Sequence, residues 1–421
     1  MMFSRRAVLR SASLAACFPA ARAARGASVP SAGAAGVPYT IRALTSGPRH
    51  HFFGYYGITP WNQSGKYLIS LESEFQDHLP RPDEPAAIGL VDAVTGKFNK
   101  IAETRAWNFQ QGAMMHWDPS RPETGILFNE RRGDDIISLA LDVGSGKRRE
   151  LPRAVSAVSH NGRWALSLTY GRLARLRPVV GYVGARDPNP ANPAPDNDGI
   201  FQMDLASGKT RLIVPIAEVY ARLLQAHPEI KPRHMWFNHV LFNRNDTRFL
   251  FFARVWSVSE EEKKQLESAM FTANLDGSEL RQVIPFGRIS HYDWLDDRRI
   301  LATFQMKKGE EKYYLFTDGQ DDYRSFGDDF FRGGHPTFSP DGNWIATDAG
   351  DGKKKEKLLM LYNMKTGEGQ VLGSFPMREY MSGDLRCDLH PRWNRAGNAV
   401  CFDALETKGW TRQLHVAQLE L

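Results

Sequence analysis

The chain has only three cysteines in 421 residues and no uninterrupted apolar run of bilayer-spanning length. So few thiols cannot staple a chain of this size, which excludes a disulfide-built scaffold. A membrane-crossing α-helix needs about 20 consecutive apolar residues, so no membrane span is expected. No Ser/His/Asp arrangement, glycine-rich phosphate loop or zinc-ligand spacing can be recognised, so the hydrolase, nucleotide and zinc chemistries that announce themselves by motif gain no support. Acid pairs such as Asp328-Asp329 fall in turn-like segments and give no glycosidase carboxylate pair.

What is present is ordinary for a folded protein: 42% hydrophobic, 24% charged and 11% aromatic residues. That is enough apolar surface for a large core and argues against disorder. The first residues carry Arg5-Arg6, a weak Ala/Ser/Leu segment and Ala21-Arg22-Ala23, the pattern of a twin-arginine export leader. Leu14-Ala15-Ala16-Cys17 also has the form of a lipoprotein box, but the apolar segment before Cys17 is very short, and lipidation is the lesser reading. Residues 1–36 are therefore read as leader and linker, 37–421 as one folded domain, and the expected location as periplasmic or secreted. Cleavage after Ala23 removes Arg5, Arg6, Arg10 and Arg22 and no acid, lowering the formal charge of +6 by four to +2. The basicity is mostly leader, and Lys353-Lys354-Lys355 is a short solvated run after a turn. Nucleic acid, which needs a clustered basic face, is not an expected partner. Cys387 and Cys401 flank a hairpin and are compatible with either a disulfide or two buried thiols.

Internal repetition governs the fold. Gly334-His335-Pro336-Thr337-Phe338-Ser339-Pro340-Asp341-Gly342-Asn343-Trp344-Ile345-Ala346 reads as a short strand, a Pro-Asp-Gly turn and an alternating strand. Related units recur around the anchors Trp61, Trp117, Val158, Phe242, Trp294 and Trp393, and with Phe338 they make seven. Each unit is followed by another strand, often with a turn such as Thr95-Gly96, Ser207-Gly208 or Thr366-Gly367 and a further strand, at about 55 residues per copy. The fold expected is all-β: a single seven-bladed β-propeller with short helical insertions. Tyr39 to Leu44 is expected to close the ring as the outer strand of the last blade, beside Gln413 to Ala417, which protects both edges. Helices are expected over Ile216 to Ala226 and Ser259 to Met270, and the proline-rich Gly171 to Asp198 as a strandless rim or lid.

His239, His291, His335 and His390 each stand three residues before an anchor, Phe242, Trp294, Phe338 and Trp393 respectively. Equivalent positions at the starts of innermost strands converge on one mouth of a propeller channel, so one repeat position gathers four imidazoles. His116 is one residue before Trp117, off that slot, and is read as structural.

With this histidine pattern the chain after about Arg49 resembles the oligogalacturonate lyase family, seven-bladed propellers that cleave uronic-acid glycans by β-elimination. More distantly it is similar to ulvan and rhamnose-glucuronate lyases. The resemblance implies that His291, His335 and His390 are metal ligands, for Mn²⁺ or another divalent ion. A glutamine stands three residues before the second ligand in that family; here the residue is Arg332. A guanidinium stays protonated and cannot ligate a cation. Two arrangements remain open: three imidazoles and water around a metal, or a metal-free site in which Arg332 grips the substrate carboxylate.

Elimination from a uronide needs the carboxylate neutralised, a base for the C5 proton, and an acid or water for the departing oxygen. The expected assignments are Arg332 for neutralisation, His239 for the base, and Tyr182, from the insertion, for base or acid. Arg254 and Arg177 are expected to bind substrate. His51 and Tyr55, entering the first blade, and Gln111, entering the second, are candidate sugar contacts. The partner expected is an acidic oligosaccharide or polysaccharide, bound by a monomer or dimer. The competing reading is a non-catalytic periplasmic propeller that binds a glycan or a protein.

Overall fold

A computed structural model describes residues 36–228, 233–258, 264–287, 289–307, 309–327, 330–331, 333–351, 354–378 and 383–421. The expected leader lies outside them. Seven four-stranded antiparallel sheets follow one another along the chain, each a simple meander apart from the last. The chain is a seven-bladed β-propeller. Blade 1 begins at His50–Phe52, blade 2 at His116–Trp117, blade 3 at Ala157–Val158 and blade 4 at Trp236–Phe242. Blades 5, 6 and 7 begin at Ile289–Trp294, Thr337–Phe338 and Arg392–Trp393. Among the described residues, no helix is long and apolar enough to cross a membrane.

The ring closes as the repeat arithmetic requires. Strand β1 (Tyr39–Ala43) pairs antiparallel with the last strand, Thr411–Leu419, with Ile41 opposite Ala417 and Ala43 opposite His415. The anchors pack between blades: Trp61, Trp117, Trp294, Phe338 and Trp393 are all buried. The indole nitrogens of Trp117 and Trp393 donate to the carbonyls of Pro60 and Thr337, each in the preceding blade.

Ile216–Ala226 is a helix, α2, opening after Pro215 and burying Ile216, Val219, Tyr220 and Leu223 at helical spacing. The expected helix over Ser259 to Met270 is not one. Lys264–Asn274 is a strand, paired over its whole length with Arg248–Val258, and residues 259–263 lie outside the described set. Its partner Arg248-Phe249-Leu250-Phe251-Phe252-Ala253-Arg254-Val255 supplies eight residues of an eleven-residue ladder, and that pairing overrides the helix preference of the Glu/Lys-rich segment. Ser268 to Ala273 is buried on both faces, which removes the alternation that would have marked a strand.

Cys387 and Cys401 are buried and unbonded. Burial pushes both thiols up to about 12, which leaves them inert.

Candidate active site

In an antiparallel meander the start of the first strand, the link between the second and third strands, and the end of the fourth strand all lie on one face. That face gathers the site. A cavity of about 210 Å³ is lined by His239, His291, His335 and His390, by Tyr55, Tyr56, Gln110 and Gln111, and by Arg177, Arg254 and Arg386. Arg177 belongs to the link between the second and third strands of blade 3, and Arg254 to the end of the second strand of blade 4.

The histidine slot is locally irregular, which turns its side chains toward the axis. His239 and His390 have φ of 58° and 47°, and Met114, in the same slot of blade 2, has 46°. The ladders of blades 4 and 5 slip register at Asn238/Leu241 and Ile289/Tyr292, on either side of His239 and His291. Left-handed backbone at a non-glycine residue costs of order 1–3 kcal/mol, a strain that clusters at functional sites.

Three of the imidazoles form a contiguous group. Ring centroids of His291 and His335 are 3.9 Å apart, and those of His335 and His390 are 4.1 Å apart. Tyr56 lies against all three, at 5.8, 5.3 and 6.0 Å from His291, His335 and His390. Asp348 fixes the central one: Nδ1 of His335 donates to its carboxylate at 2.8 Å, and the backbone amides of His335, Leu389 and His390 donate to it as well. Its carboxyl is held far below the ordinary carboxylate range, chiefly by His335 and Lys357 working against burial. With Nδ1 committed to Asp348, Nε2 is the ring nitrogen His335 can offer a metal, an arrangement common in metal-binding histidines.

His335, Asp388 and His390 offer ligand atoms all within 4.8 Å of one another. Nδ1 of His390 is buried and has no hydrogen-bond partner. Two imidazoles and a carboxylate suit a divalent cation, with His291 at the edge of the group. Asp388 is not free: Lys357 Nζ lies 2.6 Å from one of its oxygens and Arg386 Nε 2.5 Å from the other, so a cation would share this carboxylate with them.

His239 stands apart from this group. Its Nδ1 is 2.8 Å from the Tyr55 hydroxyl, which is 3.1 Å from that of Tyr292. Burial, then the charge of Arg254, pushes its proton affinity well below that of a free imidazole, so it is neutral near pH 7. Arg254 is 6% exposed and has no carboxylate or hydrogen-bond partner among the described residues. Its guanidinium lies 4.8 Å from the Phe252 ring centroid, and burial with the nearby Arg177 pushes it down to about 10. Arg177, half-buried, lies over Trp256 at 5.4 Å, and its Nε is likewise unpartnered. Two guanidiniums therefore face one small cavity, Arg254 with no carboxylate partner among the described residues and Arg177 with Asp384 as the carboxylate near it.

The insertion is a fixed wall of this cavity. Arg172, on α1 (Tyr170–Leu176), is fully buried and donates to the carbonyls of Met235, Asn189, Asn192 and Pro193, while Arg175 pairs with Asp187 at 2.8 Å. These bonds present Arg177, Val179 and Val180 to the cavity. Tyr182 is not among the lining residues. It is wholly buried, stacked on Tyr170 at 4.2 Å, and its hydroxyl accepts from Asn129, which suits packing rather than proton transfer. His51 is also elsewhere, between Glu72 of the first blade and Gln413 of the seventh. Arg332 lies outside the described residues. Tyr55 and Gln111 reach the cavity because their loops touch at Gly54 and Gly112: a Cβ on Gly54, at φ +98°, would meet the Gly112 amide at 2.4 Å.

Sequence reasoning missed Asp348, Arg386 and Asp388. A signal existed for Asp348, which stands ten residues after Phe338, as Asp403 stands ten after Trp393. The alignment that exposed the histidines contains both aspartates.

No protein-family model matches the chain, and no curated protein does. Among solved structures, an oligogalacturonate lyase in complex with manganese superposes with a TM-score of 0.63 and 13% identity, covering 91% of this chain and 94% of that one. An oligogalacturonate lyase from Vibrio parahaemolyticus gives 0.54 and 12%, covering 90% and 93%. The β-propeller domain of the trilobed protease from Pyrococcus furiosus gives 0.51 and 12%, covering 87% and 93%. At these identities the likeness is one of fold, shared by a lyase and by a protease domain alike.

Proposed function

We propose that the protein is a lyase that cleaves uronic-acid-containing oligosaccharides by β-elimination. The observation that carries this reading is the pair Arg254 and Arg177 facing a cavity of about 210 Å³: Arg254 is buried with no carboxylate or hydrogen-bond partner among the described residues, and Arg177 is half-buried with the charge of Asp384 near it. A buried charge without a partner costs several kcal/mol, and an anionic substrate group offsets that cost on binding. A carboxylate gripped there has its negative charge neutralised, which makes the proton on the adjacent carbon removable. Arg332 is proposed as a further cation for it.

His239, neutral and in the same cavity, accepts the C5 proton. The C5–H bond breaks, the C4–C5 double bond forms, and the glycosidic oxygen leaves C4 and takes a proton from water. Gln111, which lines the same cavity, is proposed to hydrogen-bond the sugar hydroxyls. A divalent cation such as Mn²⁺, held by His335, His390 and Asp388 with His291 beside them, would add positive charge at the carboxylate. The Arg5-Arg6 leader supports export to the periplasm.

The test is incubation of the purified protein with a panel of uronic-acid oligosaccharides, following the ultraviolet absorbance of the unsaturated product. Cleavage of at least one uronide is expected, lowered about 10²- to 10⁴-fold in His239→Gln. Saturable binding of uronides with no product under any metal supplementation would instead make the protein a glycan-binding propeller.

A further inference from the structure

The sequence reading gave Tyr55 to the sugar, but its hydroxyl is already engaged. It lies between His239 Nδ1 at 2.8 Å and the Tyr292 hydroxyl at 3.1 Å, and the Tyr55 ring is inclined only 23° to the imidazole. Both tyrosines are buried, at 7% and 2% exposure. Nδ1 is thus the ring nitrogen turned toward the tyrosines, and Nε2 is the one left for the cavity.

The chain of contacts can run in two directions. Either Nδ1–H donates to Tyr55, which donates to Tyr292, or Tyr292 donates to Tyr55, which donates to Nδ1. The first leaves a lone pair on Nε2 and the second leaves a proton there. The charges around the ring separate these states. Arg254 and Arg177 both disfavour positive charge on His239, Arg254 the more strongly; Arg254 has no carboxylate partner among the described residues, and Asp384 offsets part of the charge of Arg177. An N–H dipole aimed into a cationic cavity is raised in energy, and a lone pair aimed there is lowered. We propose that Tyr55 is a positioning residue that accepts the Nδ1 proton of His239 and thereby holds Nε2 unprotonated toward the cavity. The assignment rests on the reading of His239 as the base, because only that role makes the choice of tautomer matter to turnover.

The experiment uses the full chain labelled with ¹⁵N-histidine, with His239→Gln identifying the His239 ring signals. A proton on Nδ1 and a bare Nε2 are expected in the unaltered protein, with a shift toward the Nε2-protonated tautomer in Tyr55→Phe, which keeps the ring. A proton on Nε2 in the unaltered protein overturns the proposal without reference to any variant or any activity. On a cleaved uronide, Tyr55→Phe is expected to lower kcat about 10- to 100-fold with KM within about twofold, as for residues that orient a catalytic imidazole. A raised KM with unchanged kcat would make Tyr55 a sugar contact and overturn the proposal. If the ring signals behave as expected while no uronide is cleaved, the tautomer assignment is upheld and the lyase reading falls.

Discussion

His50, His116, His239, His291 and His390 all have proton affinities pushed down, with burial the largest cause in each. For His50 and His116, which lie outside the candidate site, the value falls to about 4. An unfolded histidine titrates near about 6.5, so between those values the unfolded chain binds protons that the folded one refuses. Stability from such a group is complete above the unfolded value and is lost as pH falls below it, by roughly 3 kcal/mol each on reaching pH 4. His116→Leu is expected to remove one such loss, seen as a shallower fall of unfolding free energy between about pH 6.5 and 4; an unchanged slope would show that His116 is protonated in the folded state. Arg254 bears the opposite relation to stability. Arg254→Met is expected to raise the unfolding free energy by about 1–3 kcal/mol, by removing an uncompensated buried charge, while weakening uronide binding at least about tenfold. Denaturant titration and calorimetric binding check both halves. His239 and Arg254 were legible in the sequence because one lies in a repeat slot and the other is an arginine inside an apolar strand. Tyr182 and His51 misled because residue type gives no sign of which side of a loop a side chain takes. Tyr182 was drawn inward by Tyr170 and Asn129, His51 by Glu72 and Gln413.

Between blades, one position carries both order and site geometry. Ten residues after their anchors, Asp348 and Asp403 reach from the second strand of one blade to the backbone entering the next. Asp348 holds Leu389 and His390; Asp403 accepts from the amides of Phe53 and Gly54, just before Tyr55 and Tyr56. Arg392 and Arg412, both fully buried, pair with Asp403 at 2.6 and 2.7 Å. Removing its charge leaves two buried guanidiniums uncompensated, so Asp403→Asn is expected to cost about 3–5 kcal/mol. Activity should fall as well, because the loop bearing Tyr55 loses its tether. Denaturation with and without a stabilising osmolyte separates the two effects: kcat that recovers fully once the variant is folded would show that the strap does not position the loop. Elements with a repeat or a helical stripe could be read directly, as Ile216–Ala226 was. The hairpin of Arg248–Val258 with Lys264–Asn274 could not, because its pairing is set by a partner strand and not by local preference.

At the scale of the whole ring, closure is the feature most exposed to test. Strand Tyr39–Ala43 gives the seventh blade its outer edge, and Val37, Tyr39 and Ile41 pack against the same apolar group as Phe375, Phe402 and Leu419. Gln370 of the sixth blade donates to the carbonyl of Val37, so this short strand also ties two blades together. A chain starting at Leu44 keeps every cavity residue and the backbone bond from Leu44 to Leu414, but leaves Thr411–Leu419 with an open row of amides and carbonyls. An exposed edge of that length is a template for pairing with another strand. The truncated protein is expected to lose several kcal/mol of unfolding free energy and to self-associate through the freed edge. Hydrogen exchange should accelerate first in Thr411–Leu419, and sedimentation should show a species of twice the mass. Because Asp403 of the same blade tethers the loop of Tyr55 and Tyr56, opening of the seventh blade must also disturb the cavity on the channel axis. Loss of activity on heating should therefore coincide with exchange in the seventh blade in the truncated chain. If activity instead survives after Thr411–Leu419 has become unprotected, the site does not depend on the closed ring, and the remaining blades alone position it.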